Sequence, residues 1–126
     1  MMIGLALRLL SEGRKVEIEV AGMSMAPLIR KGDKIIIAPA IESELRVHDI
    51  AVVRTDGKLL AHRVVSIDPL RTKGDLAEAL DPEWPADSVI GVVIGVRRGG
   101  RTFSTGSLEG RLRSWWSRAI PLRWRR

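Results

Sequence analysis

The chain has no cysteine, no tyrosine, one phenylalanine and only two histidines in 126 residues. Without cysteine there is no disulfide, no thiol nucleophile and no zinc site of the cysteine type. His48 and His62 are too few for a multi-histidine metal centre, so neither metal nor other cofactor is expected. Long apolar runs are missing as well. The longest, Ile35–Ala38 and Val89–Val96, are strand-sized, far short of the roughly 20 residues that span a bilayer. A content of 45% hydrophobic and 29% charged residues excludes a disordered chain, and the length points to one domain with a modest core.

Acidic residues are scarce in one place only. Residues 97–126 hold nine arginines against the single Glu109, whereas residues 1–96 hold 12 basic and 14 acidic residues. The net charge of +6 therefore comes entirely from the last quarter. The body has an ordinary globular surface, and the tail is suited to an anionic partner.

What is present reads mainly as β structure. Met2–Leu10 is short and apolar and predicts a helix ending near Gly13, an amphipathic cap over residues 1–13 or else a membrane-inserting remnant. No basic stretch precedes it, Arg8 interrupts it, and no small-x-small site comes after it, so it does not read as a signal peptide. From Val16 the period changes to two, with Val16, Ile18 and Val20 alternating with Glu17 and Glu19. Further strands are predicted at Lys34–Ala38, Ile50–Arg54, Leu59–Ile67, Arg71–Lys73 and Val89–Val96. Turn pairs such as Asp56-Gly57, Asp68-Pro69 and Gly99-Gly100 punctuate them. No long helical pattern separates the strands, so the expectation is a compact antiparallel coiled sheet or small barrel, residues 1–100, followed by a tail over 101–126.

Three segments could carry chemistry. In Ala21–Asp33, Gly22 permits close backbone approach and Pro27 restrains Ala26. Ser24 then sits in a constrained turn after a strand, flanked by Met23 and Met25, where a hydroxyl can face outward and backbone N–H groups can face an oxyanion. The plainer reading is a Gly/Pro loop with an incidental serine. In Leu59–Val65, His62 and Arg63 interrupt an apolar strand and point to opposite faces, so each needs a partner. A histidine there suits a general base for a serine, or is simply a satisfied half-buried side chain. His48 reads as a turn residue. In Thr72–Pro82, either Asp75 or Asp81 could orient an imidazole or stabilise a turn.

In this order, Gly-x-Ser-Met-x-Pro-x-x-x-x-Gly-Asp, His-Arg-Val, Lys-Gly-Asp with a second Asp, and Val-Ile-Gly resemble the type I signal peptidase family over about residues 16–96. That family belongs to a wider group with the LexA-like self-cleaving repressors. The resemblance implies a coiled β fold and a serine endopeptidase acting through an acyl-enzyme. It aligns Ser24 with the nucleophile, His62 with the base of histidine-type members, Asp81 with their acidic residue, and Asp75 with the aspartate of the Gly-Asp box. Gly22, Met23, Met25 and Pro27 fall in the substrate-binding part of the serine box. The chain departs from the pattern where Leu76-Ala77 replaces Asn-Asn after Gly-Asp, and where His48 replaces the usual glycine before Asp49. A non-catalytic peptide- or membrane-binding module is the alternative. A self-cleaving regulator would need a DNA-binding unit for which the short N-terminus has no room.

The tail places Leu108, Leu112, Trp115, Trp116, Ala119 and Ile120 at helical spacing. Arg111, Arg113 and Arg118 lie between them, and Trp124 sits within a terminal arginine cluster. This predicts an amphipathic helix suited to an anionic membrane surface through Trp115, Trp116, Trp124, Arg111 and Arg118. The same stripe could pack on the body or on a partner protein, and nucleic acid is a poorer fit. The expected partners are thus a peptide or protein substrate and an anionic membrane, with a cytoplasmic or peripheral location.

Overall fold

The computed structural model describes residues 3–85 and 87–105. The helix and arginine-tryptophan cluster expected over 107–126 lie outside the described residues. Among those described, the chain forms one α-helix, α1 (Ile3–Ser11), a single 3-10 turn at Glu42–Glu44, and seven strands: β1 (Val16–Glu19), β2 (Lys34–Pro39), β3 (Ile50–Thr55), β4 (Lys58–Ser66), β5 (Arg71–Lys73), β6 (Val89–Arg98) and β7 (Arg101–Ser104). All pairings are antiparallel, in the order β1-β2-β6-β3-β4-β5, with β7 also on β6. The sheet is coiled but open. Of the two expected forms, sheet or barrel, the open sheet is the one formed, because β1 and β5 each pair on one side only.

Local chemistry explains the elements. α1 buries Ala6 and Leu10, and ends where Gly13 takes φ 79°. There the Gly13 N–H donates to Leu10 O and the Arg14 N–H to Leu9 O, a Schellman cap that only a left-handed residue allows. Thr55 pairs with Lys58 across Asp56-Gly57, and Arg98 with Arg101 across Gly99-Gly100. All four turn residues have positive φ, the condition for a two-residue hairpin whose twist matches its strands. The second hairpin adds β7, so the sheet runs into residues that the sequence boundary at 100 assigned to the tail.

Both faces of the central strands are covered. Ile50 and Val52 of β3, and Val93 and Val96 of β6, join α1, Met25 and Ile29 in one buried cluster. Ala51 and Val53, with Val89 and Val92, join Leu45, Val64 and Leu70 in the other. That double burial is why Val89–Val96 is continuously apolar rather than alternating. Among the described residues no helix is long and apolar enough to cross a membrane.

His48, at the position where the resemblance expects glycine, has φ 82°. A side chain there strains the backbone by about 1 kcal/mol, which glycine avoids. His48→Gly should therefore leave the fold intact and raise stability by roughly 0.5–1 kcal/mol in urea unfolding. A lower midpoint for the glycine variant would show that the imidazole contributes more than the strain costs.

Candidate active site

The Ser24 loop is closed at its base and anchored from below. The Val20 N–H donates to Asp33 O at 2.7 Å, and the Gly32 N–H donates to Val20 O at 2.9 Å. Within the loop, Met25 and Ile29 are buried in the core, and the Ile29 N–H donates to Met25 O. The buried Asp33 carboxylate accepts the Arg30 N–H at 2.8 Å and a two-pronged grip from Arg98 at 2.8 and 2.7 Å. Arg98 also donates to Leu28 O, tying the loop to the end of β6. The Arg98 hydrogen bonds hold the Asp33 carboxyl at about 2, below its ordinary 3.8, against the opposing effect of burial. A carboxyl depressed in the folded state stabilises it above the unfolded pKa. That stabilisation is lost as pH falls from about 4 through about 2. Melting temperature should therefore fall more steeply over that window in the wild type than in Asp33→Asn. Parallel curves would remove Asp33 as the acid-sensitive group.

With its anchors buried, the loop leaves Ser24 exposed at its crest. His62 Nε2 lies 3.1 Å from Ser24 Oγ, and His62 Nδ1 lies 2.6 Å from Asp81 Oδ2. The His62 and Asp81 side chains are only 10% and 16% exposed, so a surface hydroxyl is backed by a sheltered imidazole and carboxylate. As a carboxylate, Asp81 can only accept, which puts the imidazole proton on Nδ1 and turns the Nε2 lone pair toward the serine hydroxyl. The structure thus brings Ser24, His62 and Asp81 into one line. Arg63, next in β4, faces away, as strand alternation requires.

Asp75 is elsewhere. Its two carboxylate oxygens accept from Arg63 Nε at 2.9 Å and Nη2 at 2.8 Å, and Arg63 Nη1 reaches His48 O at 2.9 Å. The Asp75 bonds raise the Arg63 pKa above its ordinary value. Asp75 thereby clamps the turn after β5, and this turn touches the serine loop. The Leu76 N–H donates to Ser24 O at 2.9 Å, and the Asp75 N–H meets Met25 Sδ at 3.3 Å. Gly74 passes so close that a Cβ there would lie 3.1 Å from His62 Nε2 and 3.2 Å from Ser24 Cβ. A side chain at this point would press on both members of the pair.

Beside Ser24 opens an apolar cavity of about 470 Å³. Gly22 and Met25 line it, together with Ile18, Val20, Leu59 and Ala61. Met23, which is 49% exposed, and Pro27 are not among its lining residues. Sequence reasoning missed Arg98, Thr72 and Trp84. Arg98 grips Asp33 across 65 residues of chain, and Thr72 and Trp84 stand behind Asp81. A lone tryptophan in a polar loop was the one available signal. Among the described residues there is no cluster of three or more side chains able to hold a metal ion.

A coiled antiparallel sheet that carries a serine within reach of a histidine–aspartate pair has the architecture of a β-class serine peptidase. Residues 6–89, two thirds of the chain, match the family described as Peptidase S24-like, and the chain belongs to that family. Membership carries serine-peptidase-type function in the broad sense, in a family that also includes non-catalytic members. It places the chain in the wider group to which the sequence resemblance pointed, and signal-peptidase specificity is not implied by it. No curated protein matches the chain.

Proposed function

We propose that this protein is a serine endopeptidase that cleaves peptide bonds through an acyl-enzyme on Ser24, with His62 as general base and Asp81 orienting it. The observation that carries this reading is the continuous contact from Ser24 Oγ through His62 to Asp81. Ser24 Oγ attacks the scissile carbonyl carbon while its proton passes to His62 Nε2. The resulting imidazolium is stabilised by Asp81 and returns the proton to the leaving amine. Water, deprotonated by the same imidazole, then hydrolyses the ester. The Ser24 backbone N–H makes no hydrogen bond to another described residue, which leaves it for the oxyanion alongside a neighbouring donor.

Two free strand edges suit the substrate. β1 pairs only with β2, and β4 meets β5 only from Arg63 onward. The outer edges at Ile18–Glu19 and Leu59–Ala61 line the same cavity beside Ser24. An extended peptide can add to them through main-chain hydrogen bonds, with apolar side chains in the cavity. In this reading the enzyme resembles signal peptidases in the peptides it cleaves.

The test is exposure of the full chain to a serine-directed fluorophosphonate probe, with the labelled peptide mapped. Modification at Ser24 is expected. No modification, or modification at other serines only, would replace the enzyme by a peptide-binding module that keeps the fold.

A further inference from the structure

Asp81 belongs to no strand or helix; it lies on the connection between β5 and β6, so the sheet does not itself aim the carboxylate. Its backbone is tied at two points. The Asp81 N–H donates to Thr72 O at 2.8 Å, and Arg71 Nη2 donates to Asp81 O at 2.8 Å. These bonds fix where the residue sits but leave the carboxylate free to turn about a soft torsion.

The torsion is restrained by a different pair. Thr72, on β5 and 1% exposed, donates its hydroxyl to Asp81 Oδ2 at 2.7 Å, the same oxygen that receives the His62 Nδ1 proton. Trp84 Nε1 lies 2.8 Å from Thr72 Oγ1. An indole N–H can only donate, so Thr72 Oγ1 must accept from it, and the threonine's own hydrogen is left to point at Asp81. Polarity then runs one way through the whole chain of contacts: Trp84 to Thr72, Thr72 to Asp81, and from the other side Ser24 to His62 and His62 to Asp81. Each donor strengthens the next in a sheltered setting.

From this we infer that Thr72 and Trp84 are positioning residues of the active site, which lock the Asp81 carboxylate so that one oxygen holds the His62 Nδ1 proton and the Nε2 lone pair stays on Ser24. The inference rests on the reading of Ser24, His62 and Asp81 given above. Neither residue touches substrate. Without the threonine hydroxyl the carboxylate turns, Nδ1 loses its fixed acceptor, and the imidazole spends less time in the tautomer and orientation that take the serine proton. A misplacement of about 1 Å in such a site lowers rate by up to roughly 100-fold.

The experiment compares wild type, Thr72→Val, Thr72→Ser and Trp84→Phe as full chains, each corrected for its folded fraction by circular dichroism. Two readouts are taken: the rate of labelling by the fluorophosphonate probe, and the strongly deshielded imidazole N–H proton resonance that a short Nδ1-to-carboxylate contact gives in NMR. Thr72→Val should lower the labelling rate by about 10- to 100-fold and shift or broaden that resonance. Thr72→Ser keeps the hydroxyl and should restore both. Trp84→Phe keeps an aromatic ring, loses the donor, and should move both readouts in the same direction by less; it decides the matter together with Thr72→Ser if the valine variant fails to fold. Wild-type rates and an unchanged resonance in the folded variants would overturn the inference, as would losses that merely track the unfolded fraction. Absence of labelling in the wild type would instead defeat the catalytic reading of Ser24, and the resonance comparison would still decide the positioning role.

Discussion

Ser24→Ala should reduce acylation and peptide cleavage to background, a loss of at least about 10⁴-fold, while stability stays within roughly 0.5 kcal/mol of wild type. The two halves of this expectation have separate physical grounds. Chemistry disappears because Ser24 Oγ is the hydroxyl that His62 Nε2 meets among the described residues, and Gly74, which passes close by, has no side chain to replace it. Stability holds because the loop does not depend on the hydroxyl. Met25 and Ile29 anchor it in the core, Asp33 is gripped by Arg98, and the Leu76 N–H bonds the Ser24 carbonyl, all of which alanine retains. Only one hydrogen bond is removed, a part-buried one of 3.1 Å whose serine side faces solvent. Rates of probe labelling and peptide cleavage, set beside a thermal melt, decide it. Residual activity above a few per cent of wild type in a folded alanine variant would mean that Ser24 is not the nucleophile.

How far the sequence could be read depended on whether a feature is local. The Asp56-Gly57 hairpin, the Gly13 stop of α1 and the β-branched strands arise from the conformational preferences of neighbouring residues, and the structure has each of them. The serine box identified a constrained turn because Gly22 and Pro27 flank Ser24. The mixed strand around His62 announced that two polar groups needed partners, but their identity is a matter of tertiary contact. Two aspartates lay within reach in sequence, and spacing alone cannot separate them. Once the strand alternates, Arg63 and His62 face opposite ways, and each takes one carboxylate.

The β7 strand was illegible for a related reason. Arg101-Thr-Phe-Ser is short, carries a charge and adjoins an arginine-rich tail, so composition groups it with residues 105–126. Its place beside β6 is set by the Gly99-Gly100 turn, which delivers the chain back onto the half of β6 that β3 leaves open. Arg98 and Thr72 escaped notice because an arginine on a strand end and a threonine in a strand are ordinary in sequence. What distinguishes them is the sheltered carboxylate each one meets.

The same division between the two aspartates yields the second large effect. Asp81→Asn should lower turnover by about 10⁴-fold with little change in melting temperature. An amide in place of the carboxylate can present its NH₂ group to His62 Nδ1. The imidazole then carries its proton on Nε2, where it faces Ser24 and cannot take the serine hydrogen. Asp75→Asn acts on a different contact. It breaks the two-pronged bond to Arg63, a pair about one quarter exposed on each side, and slackens the turn that holds Gly74 and Leu76 against the serine loop. Its expected cost is roughly 1–2 kcal/mol of stability, with activity per folded molecule reduced far less than in Asp81→Asn. Denaturant unfolding and probe-labelling rates measured on both variants separate the outcomes. A stable Asp75→Asn protein that no longer reacts, beside an active Asp81→Asn protein, would move the orienting role to Asp75 and leave the short contact between His62 and Asp81 as a structural bond alone.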